Sequence, residues 1–166
     1  MNLKFFQVST KLLIKPSAFY NSNSPVFSSR EREISKTHCK SKILLVEDEV
    51  GFQCLHKTAL KKMGYDLDLA ENGQDAINLF QQNTYDLILL DIGLPDMSGI
   101  EVGRFIRAHN KGKSVPILAL TGYGKQVEPE CLAVGFDEVL SKPIKLKELE
   151  TILKDRLRQS LRTSSQ

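Results

Sequence analysis

From residue 42 onward, short runs of apolar residues alternate with segments in which apolar residues recur at helical spacing. The runs have the length and composition of strands buried in a parallel sheet. Five predicted strands, at 43–46, 65–70, 87–90, 115–120 and 139–140, are each followed by a predicted helix after a short connection. This alternation predicts an α/β fold with a five-stranded parallel sheet and helices on both faces.

The predicted strands differ in character. The runs Ile43–Val46 and Leu87–Leu90 are wholly apolar, which favours central places in the sheet. Tyr65–Ala70 alternates apolar and polar residues, which is typical of a half-buried strand near an edge. The first helix carries apolar residues at 52, 55, 59, 60 and 63. The next predicted helix covers 74–82, and Ser98 is a candidate cap for the third. A weaker helix is predicted over 126–134.

The first 41 residues differ from the rest of the chain. They carry seven Lys or Arg against two Glu, with no acid before residue 31, and are rich in Ser and Asn. We expect residues 1–41 to form a flexible extension, residues 42–160 one domain, and residues 161–166 a frayed tail. A transit peptide, a secretory signal and a membrane-surface or partner-binding segment are the alternatives for the extension.

Charge and hydropathy exclude some classes of function. Residues 42–166 carry sixteen Lys or Arg against eighteen Asp or Glu, and this mildly acidic balance argues against a nucleic-acid partner. No apolar run is long enough to cross a bilayer, so we expect no integral membrane segment. The three cysteines, at 39, 54 and 131, are widely spaced and are expected to be reduced thiols of a cytoplasmic protein.

Charged or hydroxyl side chains, two of them followed by Gly or Pro, come after four of the five predicted strands. They are Glu47 and Asp48 after the first, Asp91 after the third, Thr121 and Gly122 after the fourth, and Lys142 and Pro143 after the fifth. The carboxyl ends of parallel strands share one edge of the sheet, where ligands bind in open α/β folds. Each residue alone fits a turn, a cap or a solvated strand end. Their coincidence at one edge predicts a functional site.

Three clustered carboxylates raise one another's pKa, and a divalent cation relieves that repulsion. An all-oxygen site that keeps several waters suits Mg²⁺, with Mn²⁺ as the alternative ion. Lys142 adds a second positive charge, and Thr121 adds a hydroxyl. Such a site is equipped to hold a phosphoryl group.

Residues 42 to about 157 resemble the receiver domain of two-component response regulators. The matching segments are 43–49, 89–99, 119–122 and 140–144, in the order and spacing of that family. The resemblance implies a flavodoxin-like (βα)5 fold. The amino-acid sequence of 91–99 and 119–122 is similar to that of receivers attached to hybrid histidine kinases. We find no kinase or output segment in this sequence. We therefore expect a single-domain regulator.

The resemblance implies a role for each matched residue. Asp91 is the expected phosphoacceptor, which takes a phosphoryl group from phosphohistidine on a histidine kinase or a histidine phosphotransfer protein. Asp48, Asp91 and the backbone carbonyl of Gly93 are the expected direct Mg²⁺ ligands. Glu47 is expected to act through a water molecule.

The remaining matched residues are expected to hold and read the phosphoryl group. Lys142 pairs with Asp91 or a phosphoryl oxygen, Thr121 binds another oxygen, and Gly122 offers its N–H. The family also has a cis peptide at the position of Lys142–Pro143. Two positions modulate this pattern: Val139 stands where an aromatic residue is common, and Tyr123 stands where water access is tuned.

The resemblance implies a phosphoacceptor signalling domain that catalyses only its own phosphorylation and dephosphorylation, and that signals to an unidentified protein target. The alternative is a phosphorylation-independent pseudo-receiver. An aspartate-dependent phosphatase would need a second acid at Gly93, and a flavin-binding protein would need a Ser/Thr-rich loop after the first strand. A phosphohistidine donor at His56 is the last alternative; we expect that side chain to be exposed and inert.

Overall fold

The computed structural model describes residues 40–163, and strands and helices alternate along them as predicted. The strands are β1 (Lys42–Val46), β2 (Asp66–Ala70), β3 (Leu87–Asp91), β4 (Ile117–Thr121) and β5 (Glu138–Ser141). The helices are α1 (Val50–Lys62), α2 (Gly73–Gln82), α3 (Gly99–Ala108), α4 (Glu128–Val134) and α5 (Leu146–Thr163). Residues 1–39 of the predicted extension, Cys39 among them, and residues 164–166 lie outside the described part.

The five strands form one parallel sheet in the order β2-β1-β3-β4-β5. The strand β3 is central with β1 beside it, and β2 lies at an edge, which confirms the places predicted from their composition. All five residues of β3 are buried, whereas β2 is mostly half-buried. Apolar content therefore follows the position of a strand in the sheet.

Helices cover both faces of the sheet because successive side chains of a strand point in opposite directions. Ile88 and Leu90 pack in a cluster with residues of α2, α3 and α4. Leu87 and Leu89 pack in a second cluster with residues of α1 and α5. The two clusters form the core on either side of one sheet. No helix within residues 40–163 is long and apolar enough to cross a membrane.

Local chemistry sets where several elements begin and end. Ser98 caps α3, and its side chain and that of Glu101 form a reciprocal capping box, which confirms the predicted cap. The fourth strand begins at Ile117 rather than at residue 115, because Pro116 has no N–H to donate. The helix α4 begins at Glu128 rather than at residue 126, since Gly124–Val127 forms a 3₁₀ turn. The left-handed Gly135, with φ of 100°, ends that helix.

The register of the strands brings their carboxyl ends level. Val46 pairs with Leu90, Asp91 with Leu120, and Thr121 with Ser141. The residue that follows each strand therefore emerges at the same edge of the sheet. The start of α3 also lies against this edge, because a β-carbon on Gly99 would collide with the carbonyl oxygen of Asp91.

Candidate functional site

Three carboxylates meet at the carboxyl edge of the sheet, as the sequence predicts. Glu47, Asp48 and Asp91 each place a carboxylate oxygen within 4.8 Å of the others. Glu47 and Asp91 are buried, and Asp48 is exposed. A buried pair of acids beside an exposed one requires positive charge close by.

Lys142 supplies that charge from the end of β5. Its Nζ lies 2.6 Å from Asp91 Oδ2 and donates to Glu47 Oε1 at 2.8 Å. Nζ also lies 2.7 Å from Glu47 Oε2, but only Oε1 meets hydrogen-bond geometry, so Oε2 has ionic contact without a hydrogen bond. One ammonium group therefore holds two buried carboxylates together.

Burial and pairing act in opposite directions on these groups. Burial raises the pKa of Glu47, and the hydrogen bond and charge of Lys142 only partly offset it. Burial lowers the pKa of Lys142, but its bonds to Asp91 and Glu47 outweigh burial and raise that pKa overall. In the absence of a cation, burial therefore disfavours the ionised form of Glu47, even with Lys142 beside it.

The end of β4 adds a hydroxyl group. Thr121 is buried, and its Oγ1 accepts a hydrogen bond of 2.9 Å from the backbone N–H of Tyr123. Gly122 is exposed and lines the cleft described below, and a β-carbon built on it meets no atom within 4 Å. Steric crowding in the resting domain therefore does not require glycine at this position.

Gly93 and Tyr123 face each other beside Asp91. The N–H of Gly93 donates to Asp91 Oδ1 at 3.0 Å. A β-carbon on Gly93 would lie 3.5 Å from Cε2 of Tyr123, whose side chain is 62% exposed. The ring of Tyr123 therefore stands next to the Asp91 carboxylate without closing it off.

A cleft of about 580 Å³ opens over this cluster. Its lining combines acids, one lysine, glycines and two aromatic rings: Asp48, Glu49, Phe52, Asp91, Gly93, Gly122, Tyr123, Lys142 and Pro143. The Lys142–Pro143 peptide is cis, as the resemblance implied. Val139 lies in β5, half-buried against the cluster on the α2–α4 side of the sheet.

The inward face of α1 contributes residues that the sequence reasoning missed. The prediction that His56 is exposed is wrong: its exposed fraction is 1%. Leu55, expected on the apolar face, is instead exposed at 41%. Phe52, His56 and Leu60 are spaced four residues apart, so they share one face of the helix. This spacing is the signal in the sequence that indicates a buried His56. Burial also argues against a phosphohistidine donor at this position.

Gln53 fixes the backbone that carries the two acids after β1. Its Nε2 donates to the carbonyl oxygen of Glu47 at 2.8 Å and to that of Asp48 at 3.3 Å. Phe52, one residue earlier, places its ring 4.8 Å from Lys142 Nζ. The first turn of α1 therefore holds both the acids and the lysine.

The donor set fits Mg²⁺. Carboxylate and carbonyl oxygens are the ligands that this hard cation takes, usually with several waters. Here three carboxylates converge, one of them exposed, and the buried Oε2 of Glu47 has no hydrogen-bond donor. The open cleft leaves room for the waters.

Known proteins with a similar sequence or fold include kinases and receivers. The sequence profile of the response regulator receiver domain matches residues 43–154. A probable histidine kinase 1 of Oryza sativa subsp. indica is 32% identical over an alignment of 161 positions, and the match covers 77% of this chain and 16% of that protein. The chain thus spans about a sixth of that relative's length.

Two solved structures resemble the chain over nearly their whole length. One is the receiver domain of a sensor histidine kinase from Pseudomonas aeruginosa PAO1, with a magnesium ion in its active site cleft. It is 36% identical, with a TM-score of 0.67, and the match covers 71% of this chain and 98% of that one. The other is the response regulator TrrA from Thermotoga maritima in complex with Mg²⁺ and beryllofluoride. It is 37% identical, with a TM-score of 0.63, and the match covers 70% and 98%. The chain therefore belongs to the response regulator receiver domain family, the phosphoacceptor domains of two-component phosphorelays.

Proposed function

We propose that Asp91 accepts a phosphoryl group from phosphohistidine on a histidine kinase or a histidine phosphotransfer protein. The observation that carries this proposal is the contact of 2.6 Å between Asp91 Oδ2 and Lys142 Nζ, at the base of an acidic cleft. Asp91 is the acid of the cluster that lies at the end of the central strand. An incoming phosphoryl group can therefore reach it from the cleft.

Asp48, Asp91 and the backbone carbonyl of Gly93 would hold Mg²⁺ directly, and Glu47 would act through a water molecule. When bound, the ion supplies positive charge that neutralises the phosphoryl oxygens during transfer. Asp48 is exposed to the cleft and free to serve as a ligand from the solvent side. The use of Mn²⁺ in its place stays a prediction.

The chain's own groups carry out the transfer. A carboxylate oxygen of Asp91 attacks phosphorus, the P–N bond of phosphohistidine breaks, and its electron pair returns to the imidazole of the donor. Lys142 Nζ, already at Asp91, moves with the charge to a phosphoryl oxygen. The hydroxyl of Thr121 donates to a second oxygen, and Gly122, which lines the same cleft, offers its N–H to the phosphoryl group.

Phosphorylation would then be read at the end of β4. Thr121 Oγ1 is bonded to the N–H of Tyr123, so movement of Thr121 toward a phosphoryl group alters the loop that leads into the 3₁₀ turn Gly124–Val127 and α4. We propose that the domain presents this altered surface to a protein target. Hydrolysis of the aspartyl phosphate by water returns the domain to its resting state.

Incubation with phosphoramidate and Mg²⁺ tests the proposal. We expect the intact mass to rise by one phosphoryl group, and we expect the bond to be labile in alkali, as acyl phosphates are. Asp91→Asn abolishes the gain, whereas Asp155→Asn, at an exposed acid on α5, leaves it unchanged. Wild-type protein that takes up no label, or an Asp91→Asn variant that does, contradicts the assignment and favours a pseudo-receiver.

A further inference from the structure

His56 is a buried polar side chain that the mechanism above does not use. Its Nδ1 lies 3.9 Å from Oε2 of Glu47, and both side chains are almost completely buried. Among the side chains that the structure describes, these two atoms are the buried nitrogen and oxygen atoms without a hydrogen bond, and Oε2 keeps only its ionic contact with Lys142. Unpaired buried polar atoms are rare because each forfeits its hydration. Two of them that face each other point to a bond that forms in another state.

The surroundings of His56 leave it little choice of partner. Its ring stacks on that of Phe52, with centroids 5.9 Å apart and an angle of 15° between the planes. Lys142 Nζ lies over the same Phe52 ring, 4.8 Å from its centroid. Gln53 holds the backbone of Glu47 at the same time, so both the acid and the imidazole are fixed on α1 or against it.

Glu47 depends on Lys142 in the resting state. Lys142 Nζ lies 2.7 Å from Oε2 and 2.6 Å from Asp91 Oδ2, so one ammonium serves both acids. In the proposed transfer, Lys142 moves to the phosphoryl group on Asp91, and Oε2 of Glu47 loses its cationic contact. The described group that then faces Oε2 is His56 Nδ1, and a shift of about 1 Å brings it within hydrogen-bond distance.

We propose that His56 is a positioning residue for Glu47, whose Oε2 accepts a hydrogen bond from His56 Nδ1–H once Lys142 has turned to the phosphoryl group. The inference rests on the proposed function, because it requires that movement of Lys142. A neutral imidazole carries its proton on one nitrogen, so the proposal assigns that proton to Nδ1. Glu47 then stays oriented toward the cleft for its water-mediated role.

Matched substitutions separate hydrogen bonding from packing. The amide nitrogen of asparagine and a δ-carbon of leucine are bonded to Cγ, as Nδ1 of histidine is. Each residue therefore places an atom of similar size near the position of Nδ1, but only asparagine can donate a hydrogen bond from it. With saturating Mg²⁺, we expect His56→Leu to bind beryllofluoride about tenfold to a hundredfold more weakly than wild type, the factor of one hydrogen bond to a charged acceptor. His56→Asn recovers most of that affinity. The dissociation constant of Mg²⁺ alone changes less than about twofold in either variant, since Lys142 still serves Glu47 in that state.

A packing role predicts the opposite ranking. Leucine is the better helix former and the apolar choice for a buried site, so His56→Leu is then at least as good as His56→Asn in every measurement. Equal beryllofluoride affinity in wild type and His56→Leu, or equal loss in both variants, overturns the proposal.

The tautomer of His56 is a test that needs no substitution. Long-range ¹H–¹⁵N spectra of the wild-type imidazole, with Mg²⁺ and beryllofluoride, are expected to show the proton on Nδ1. A proton on Nε2 in that complex overturns the proposal even if the variants do not fold. Wild-type protein that accepts neither phosphoryl nor beryllofluoride overturns the proposed function and this inference together. Normal phosphorylation of Asp91 with the wrong tautomer or ranking overturns only the inference.

Discussion

Lys142 and Asp91 are 51 positions apart in the chain, yet Lys142 Nζ lies 2.6 Å from Asp91 Oδ2. The same nitrogen contacts Glu47, which is 95 positions away. One ammonium group therefore balances the charges of two carboxylates from distant segments of the chain while no cation is bound. We expect both the stability of the domain and its response to Mg²⁺ to follow from this arrangement.

Replacement of Lys142 by methionine leaves two buried acids without a cationic partner. We expect Lys142→Met to lower the free energy of unfolding by about 3 kcal/mol without Mg²⁺, the cost of breaking a buried ion pair on one side. Saturating Mg²⁺ recovers more stability in the variant than in wild type, because the ion replaces the lost charge. Urea denaturation followed by circular dichroism, with EDTA and with Mg²⁺, measures both effects.

Lys154→Met is the control for that experiment. Lys154 pairs with Glu150 on the surface of α5, where the two side chains are 52% and 40% exposed. Its loss changes stability by less than about 0.5 kcal/mol in either buffer. A similar response of both variants to Mg²⁺ would show that Lys142 does not balance the acids.

The raised pKa of Glu47 makes the stability of the metal-free domain depend on pH. Below its ordinary pKa of 4.5, Glu47 is protonated in both the folded and the unfolded state and has no effect. As the pH rises from 4.5 through the folded-state pKa, the unfolded chain ionises more readily, and the folded state loses the corresponding stability. Each unit by which the pKa is raised corresponds to about 1.4 kcal/mol.

Glu47→Gln removes this ionisation. We therefore expect the stability of Glu47→Gln relative to wild type to increase as the pH rises from about 4 to about 7, measured by urea denaturation in EDTA. Glu148→Gln, at an exposed acid of α5, controls for the loss of one surface charge. A relative stability of Glu47→Gln that falls over this interval contradicts the burial of an unfavourable charge.

We expect Tyr123 to slow hydrolysis of the proposed aspartyl phosphate. Its ring stands beside Gly93 and lines the cleft over Asp91, where it would restrict the approach of attacking water. We expect Tyr123→Ala to shorten the lifetime of the aspartyl phosphate by up to about tenfold, or about 1.4 kcal/mol of barrier. Tyr123→Phe keeps the ring and the lifetime. Loss of label after removal of phosphoramidate measures the rate, and an unchanged lifetime in the alanine variant excludes this role.

Substitution of alanine for two glycines near the site should affect the stability of the domain to different degrees. A β-carbon on Gly99 would collide with the carbonyl of Asp91, so Gly99→Ala is expected to cost about 2 kcal/mol or more in unfolding free energy. A β-carbon on Gly122 meets open space, so Gly122→Ala is expected to change stability by less than about 0.5 kcal/mol. Denaturation midpoints compare the pair. Equal stability of the two variants would contradict the close approach of α3 to Asp91.

Much of the fold was readable from the sequence, because local patterns carry it. The apolar runs at 43–46 and 87–90 predicted central strands, and the alternation at 65–70 predicted an edge strand, as found. The acids, the threonine and the lysine follow strand ends, and parallel strands bring those ends to one edge whatever their order. The roles assigned to these residues came from the resemblance and stay proposals.

Only the tertiary structure decided which side chains share a partner. Residues 47, 91 and 142 were expected near one another, but the division of one ammonium between two buried carboxylates depends on the register of β1, β3 and β5. His56 was misjudged for a related reason: polarity suggests exposure, whereas burial depends on which face of α1 meets the sheet. A sequence determines the period of a helix and the ends of strands, since these are local. Distances between atoms remote in the chain, and the burial that sets their electrostatics, arise only when the elements pack together.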